Sequence, residues 1–148
     1  MDVVRKNTDY AFRLLLELAD SYGSDAVSTK KAAELQLVPY QLACKLMQKL
    51  HKAHLLESVQ GAMGGFRLNK VPAEITMADV IEAIQGPILL SRCVLGDGFC
   101  QLKKNCPINK RLAELQNNLD SYFGSVTLAD LKDTHKAAEL KSKKTKKR

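Results

Sequence analysis

The chain has 148 residues, 45% of them hydrophobic, with 23 lysines and arginines against 16 aspartates and glutamates. That length and apolar content suit one domain, or one small domain with an extra dimerising element, and exclude global disorder. A net charge of +7 favours an acidic partner, nucleic acid first, and no stretch approaches the roughly 20 apolar residues that span a bilayer.

In chain order, Thr8 to Tyr22 reads as an amphipathic helix, with Tyr10, Ala11, Leu14, Leu15, Leu18 and Tyr22 at steps of three and four. Gly23-Ser24 ends it, and Ser28 is placed to cap a short second helix through Leu35. Pro39 suits the first position of a third helix running to Ala53. Three helices with a tight connection before the third form a helix-turn-helix. The strand patterns Leu56–Gln60 and Phe66–Asn69 flank a turn with three glycines in five residues, which predicts a β-hairpin. A hairpin directly after a helix-turn-helix is the wing of a winged helix.

Thr76-Met77-Ala78-Asp79 resembles a capping box opening a helix that Gly86-Pro87 closes. An irregular region, 88–106, holds three of the four cysteines. Pro107 starts a long helix in which Ile108, Leu112, Leu115, Leu119 and Tyr122 keep coiled-coil spacing. One narrow apolar stripe on such a helix most simply pairs with its own copy. The fold expected is mainly α with a small β-hairpin. Residues 1–75 form a winged helix-turn-helix domain. Residues 76–131 carry a linker helix, the cysteine loop and a dimerisation helix over 107–123. Residues 132–148 form a basic, disordered tail.

The charge is not evenly spread. Residues 28–70 carry seven basic and two acidic side chains, and the last eight residues carry six basic ones and no acid. On the third helix Gln41, Cys44, Lys45, Gln48 and Lys52 make one polar stripe opposite the apolar positions. Amide and ammonium groups so arranged can meet base edges and phosphates in a major groove. Lys45 and Lys49 suit phosphate or guanine, Gln41 and Gln48 suit adenine, and Thr29 and Lys30 are placed for backbone phosphates. The competing reading of each residue is an ordinary solvated helix face. His51 and His54, at the end of that helix, receive no role.

Met1-Asp2-Val3-Val4-Arg5-Lys6 opens no hydrophobic signal region, which makes the cytoplasm the default compartment. Thiols stay reduced there, so grouped cysteines point to metal or redox chemistry. Cys93, Cys100 and Cys106 are spaced C-x6-C-x5-C, a poor match to zinc motifs built on close pairs. Three thiolates could wrap an iron–sulfur cluster, which generally needs four ligands. They could equally be ordinary cysteines in an ordered loop. Cys44 reads as a small residue tolerated near DNA.

Several local patterns then combine. They are Thr8-Asp9-Tyr10-Ala11-Phe12-Arg13, Val38-Pro39-Tyr40, Gly61-x-x-Gly64-Gly65-Phe66-x-Leu68, the three-cysteine loop and Val126-Thr127-Leu128-Ala129-Asp130-Leu131. In this order, from about Val4 to Leu131, they resemble the IscR/NsrR-type (Rrf-type) winged-helix transcriptional regulators, which also include RirA-like and CymR-like members. The resemblance implies a homodimer on a palindromic operator in double-stranded DNA. Each third helix would enter a major groove and each wing a minor groove, with Tyr40, Gln60, Gly61 and Arg67 added to the DNA-facing residues. It further implies that Cys93, Cys100 and Cys106 bind a 2Fe–2S or 4Fe–4S cluster whose state sets DNA affinity.

In IscR-like members the fourth ligand is a histidine three residues after the last cysteine, where this chain has Asn109. In NsrR-like members it is an aspartate from the Thr-Asp-Tyr-Ala stretch of the other subunit, here Asp9. The resemblance therefore favours Asp9 in trans and 4Fe–4S over 2Fe–2S, against the reading of Asp9 as a favourable charge in a first helical turn. The first two cysteines stand one residue further apart than in relatives, and Gln60 replaces an arginine common in the wing. The function expected is a DNA-binding regulator, a repressor, with a cluster sensing iron, nitric oxide or redox state. The alternative is a cluster-free regulator answering to a partner protein, a small ligand or thiol modification. A small iron–sulfur electron carrier is a remote third reading. No phosphate loop, zinc-hydrolase motif or triad supports an enzyme.

Overall fold

The computed structural model of the chain describes residues 2–94 and 100–134. Five principal helices and one hairpin follow in order: α1 Lys6–Asp20, α2 Thr29–Leu35, α3 Tyr40–Lys52, β1 Leu56–Val59, β2 Gly65–Leu68, α4 Met77–Gln85 and α5 Pro107–Ser125. Residues 128–134 are also helical. This is a mainly helical winged helix-turn-helix with a long helix after it. Among the described residues no helix is long and apolar enough to cross a membrane.

α1 is the central element. Its Ala11, Leu14 and Leu15 are wholly buried, and α2, α3, α4 and β2 all lie against it. The helix begins two residues before the expected Thr8 because a distant side chain supplies its cap. Gln85 Oε1 accepts from the Arg5 amide (2.9 Å) and from Thr8 Oγ1 (2.7 Å), while Gln85 Nε2 donates to the Val3 carbonyl. These bonds satisfy groups that a helix start otherwise leaves to water.

Ser28 caps α2 as the sequence predicts, its Oγ accepting from the Lys31 amide. Pro39 is the N-cap of α3 with extended backbone, rather than its first helical residue. Both α2 and α3 close through a left-handed residue that is not glycine, Leu37 (φ 52°) and His54 (φ 59°). In each case the next amide reaches back five residues, Val38 to Ala33 and Leu55 to Leu50. His51 then ties the end of α3 to β1 through Nδ1 and the Leu56 carbonyl, 2.9 Å apart.

The hairpin pairs Leu56 with Leu68, Glu57 with Arg67, Ser58 with Phe66 and Val59 with Gly65. Each strand ends one residue earlier than the pattern suggests, and β2 starts one earlier. These bounds are those of the hairpin's own register, to which a third backbone segment is joined. Val27 and Phe66 exchange both amide hydrogen bonds at 2.9 Å, fastening the hairpin to the α1–α2 connection. Gly65 sits at that crossing, where a Cβ would stand 2.2 Å from the Val27 carbonyl oxygen.

The capping box at Thr76 and Asp79 is present in both directions. A second Thr-x-x-Asp does the same work at Thr127 and Asp130, whose carboxyl the Thr127 hydroxyl and amide hold below the usual carboxylate range. The two caps meet. Met77 donates its amide to Val126, and Leu128 donates to Ile75. This brings the last helix back onto the winged helix with Leu128 buried. Lys132, assigned to the tail by the sequence boundary, instead donates to the Ala19 carbonyl at the end of α1 and lies 3.4 Å from Asp20. The folded body therefore extends through Thr134, and the expectation of a disordered tail at 135–148 lies outside the described residues.

The collision at Gly65 yields a direct expectation. Gly65→Ala should cost about 1–3 kcal/mol, because both clashing partners are backbone and neither can rotate away. Thermal unfolding of the two proteins measures it, and equal midpoints would remove the Val27 crossing from this account.

Candidate nucleic-acid interface and cysteine loop

α3 divides into two faces. Ala43, Leu46, Met47 and Leu50 are buried, while Gln41, Lys45, Gln48 and Lys52 are exposed on the opposite side. Cys44 lies half-buried between them and touches Tyr40 one turn earlier, and this hydrogen bond pushes the Tyr40 hydroxyl above its ordinary value. Thr29 is the first residue of α2, and Lys30 beside it is exposed. Gln60 and Gly61 are exposed where the hairpin turns.

Two residues of the sequence-predicted interface are engaged elsewhere. Lys49 Nζ donates to the Ile84 carbonyl at 3.1 Å, so it caps the C-terminal turn of α4 and is diverted from the phosphate or guanine contact expected of it. Arg67 pairs with Glu57 across the hairpin, making the charges at the base of the wing mutually neutral. The local pattern carries no sign of either arrangement, since tertiary packing brings the Ile84 carbonyl to Lys49 and the hairpin register brings Glu57 to Arg67.

In the cysteine region the structure brings two cysteines to one residue, Asn109. Cys93 lies in a short 3-10 turn, Arg92–Val94. Its sulfur is 3.1 Å from Ser91 Oγ, and Asn109 Nδ2 donates to its carbonyl at 2.7 Å. Cys106 is the N-cap of α5, its sulfur accepting from the Asn109 amide at 3.4 Å. Hydrogen bonds from Ser91 first, and then from Asn109, hold the Cys93 thiol below its usual value. Asn109 is thus a positioning residue for the loop, although an asparagine at the head of a helix offers no sequence signal for that role.

A second polar clamp precedes it. Gln116, buried in α5, accepts from the Leu90 amide and donates to the Ile88 carbonyl and to Asp120. Cys100 is exposed at the far side of residues 95–99, and the part of the loop expectation that falls on those residues lies outside the described chain. Asp9 is exposed on α1 and pairs with Arg13 at 2.8 Å. Among the described residues no three metal-binding side chains converge within one chain. The donor types nevertheless fit: three soft thiols, two of them held at Asn109, suit iron–sulfur ligation. The apolar stripe of α5 is left open, with Ile108 68%, Leu115 47% and Tyr122 61% exposed.

Known proteins resemble the chain along most of its length. The model of the Rrf2 family, described as an iron-dependent transcriptional regulator, matches residues 4–134. The regulator NsrR of Shouchella clausii is 35% identical over 108 residues, covering 72% of each chain. The solved structure of T. potens IscR superposes with a TM-score of 0.70 at 28% identity, covering 90% of this chain and 89% of the other. The structure of CymR, the global cysteine regulator of B. subtilis, shares the fold with a TM-score of 0.75 at 24% identity, covering 90% and 98%.

The Ser91 contact sets a pH expectation. A thiol held below its ordinary value is more ionised at neutral pH and alkylates faster. In metal-free protein, Ser91→Ala should move the pH–rate profile of Cys93 alkylation to higher pH and slow the reaction near pH 7. A profile that stays in place would show that Ser91 does not act on the sulfur.

Proposed function

The chain belongs to the Rrf2 family of DNA-binding transcriptional regulators, and on that premise we propose that it is a homodimeric repressor whose operator affinity follows the state of its cysteine loop. The observation that carries this reading is α3, which presents Gln41, Lys45, Gln48 and Lys52 outward beside a hairpin, within a segment of net charge +5. Thr29, Lys30 and Tyr40 extend the same surface toward phosphates, and Gln60 and Gly61 extend it to the wing. The operator is palindromic because a two-fold dimer repeats its contacts, with half-sites about one helical turn (roughly 34 Å) apart.

The dimer forms through α5. Leaving Ile108, Leu115 and Tyr122 in water costs free energy that a second α5 recovers. Leu115→Glu should therefore yield a monomer in sedimentation, with operator affinity falling in step. A dimer that survives the substitution would place the contact elsewhere.

Cys93, Cys100 and Cys106 would hold an iron–sulfur cluster, with Asp9 of the second copy as fourth donor and 4Fe–4S as the type. When bound, such a group supplies a centre that iron supply, nitric oxide or oxidants alter. The chain's own residues carry the consequence. Asn109 and Gln116 hang the arm of the loop from α5, so a change in the loop reaches residues 88–90. Those residues follow the C-terminus of α4, which Lys49 of α3 and Gln85, bonded to the start of α1, both hold. As a ligand in trans, Asp9 would give up its bond to Arg13, and the tie across the dimer would fix the separation of the two reading helices.

A second reading, a cluster-free regulator answering to a thiol-modifying agent, a small ligand or a partner protein, is favoured by the lowered Cys93 thiol. Iron and sulfide analysis of protein purified without oxygen separates the two. The switch itself is tested on a duplex enriched from a random pool. Cluster-loaded and cluster-free protein should differ at least about fivefold in affinity at fixed salt, which corresponds to about 1 kcal/mol of coupling. Equal affinities would overturn cluster sensing and leave DNA binding standing.

A further inference from the structure

The tip of the hairpin is built more firmly than a loop of small residues needs to be. Gly64 donates its amide to the Gly61 carbonyl at 3.0 Å, closing a tight turn with Ala62 and Met63 at its apex. Gly61 has φ 118°, a conformation that L side chains rarely adopt. A Cβ on Gly64 would stand 2.7 Å from the Val59 carbonyl oxygen and 2.8 Å from that of Gly61. The backbone is thus held from both sides, while the side chain it carries outward, Met63, is 79% exposed. No charged residue occurs between Glu57 and Arg67, and those two pair with each other at the base. The wing therefore offers no free charge along its length, only a thioether at its point.

From this geometry we infer that Met63 is a specificity-determining residue that reads the minor groove by shape, as an uncharged wedge. The inference rests on the DNA-binding reading above and names how one part of that surface works. A narrow minor groove concentrates negative potential and attracts basic side chains, which this wing lacks. An unbranched, polarisable side chain can instead press against sugars or between base steps. Its affinity then depends on how easily the step beneath it opens. Flexible pyrimidine–purine steps under the wing are favoured, and stiff A-tracts are disfavoured. A neutral contact displaces no counterions, so it adds affinity without steepening the salt dependence.

The test uses full-length dimeric protein and a duplex enriched from a random pool by the unaltered chain. Met63→Ala should bind that duplex on the order of tenfold more weakly, within the range of one lost base-pair contact, with an unchanged slope of log affinity against log salt. Met63→Lys should steepen the slope by roughly 0.9 for each new phosphate contact and move the enriched sequences under the wing toward A-tracts. Because Met63 buries little, both variants should unfold at the temperature of the parent, which separates a lost contact from a lost fold. Lys45→Ala serves as the reference for a phosphate contact, losing affinity with a shallower slope. If Met63→Ala binds as tightly as the parent while Lys45→Ala is weakened, the wedge is overturned and the DNA reading stands. If Met63→Ala alters the salt slope as Lys45→Ala does, the neutral contact is likewise overturned. If the folded parent enriches no sequence at all, both readings fall together.

Discussion

Burial of Leu46, Met47 and Leu50 beside the wholly buried residues of α1 decides which side of α3 meets solvent, and the rest of the molecule follows from that orientation. A helix has only two broad faces, so anchoring one in the core presents the other. Once those apolar residues are seated, Gln41, Lys45, Gln48 and Lys52 have no alternative but to point outward together. The hairpin is aligned to the same core. Leu56 and Leu68 enter it from opposite strands, and Val27 clips the outer edge of β2 to the start of α2. Reading helix and wing are thereby mounted on one rigid body, which a regulator needs if two of them are to match a fixed DNA spacing.

The C-terminal end of α4 is where this rigid body meets the cysteine region. Lys49 reaches it from α3, Gln85 carries it to the first turn of α1, and Gln116 pins the residues that follow it to α5. Lys49 and Gln85 bond backbone groups at helix ends, and Gln116 bonds the Ile88 carbonyl and Leu90 amide of the irregular segment that follows α4. Satisfying such groups through distant side chains adds directional bonds between elements that already share the core, and it makes their positions interdependent. Asn109 extends the chain of contacts to Cys93 and Cys106.

Much of the fold was legible in advance because its determinants are local. The steps of three and four in α1, α3 and α5, the Ser28 cap, the Thr76 box and the glycine cluster of the hairpin each act within a few residues of themselves. The differences arise where distant groups intervene. α1 starts early because Gln85, about eighty positions away, caps it. Val27 adds a third backbone segment to the hairpin, and Lys132 joins the body because the second capping box turns the chain back. For the candidate site the division is similar. The polar stripe of α3 and the cysteine spacing are visible in one dimension. The diversion of Lys49, the neutralisation of Arg67 and the meeting of two cysteines at Asn109 are not.

The sequence by itself determined the class of molecule. Periodic apolar positions, caps and turn glycines specify a winged helix followed by a long helix with one apolar stripe, and the clustering of lysines and glutamines marks the candidate surface for DNA. These are properties of neighbouring residues and of their spacing, which the chain carries whatever its distant contacts. Only the tertiary structure decided which charges remain free and which side chains hold the cysteine loop. A cation is available to a phosphate only if no carbonyl or carboxylate has already claimed it, and that competition is settled by where the elements come to rest.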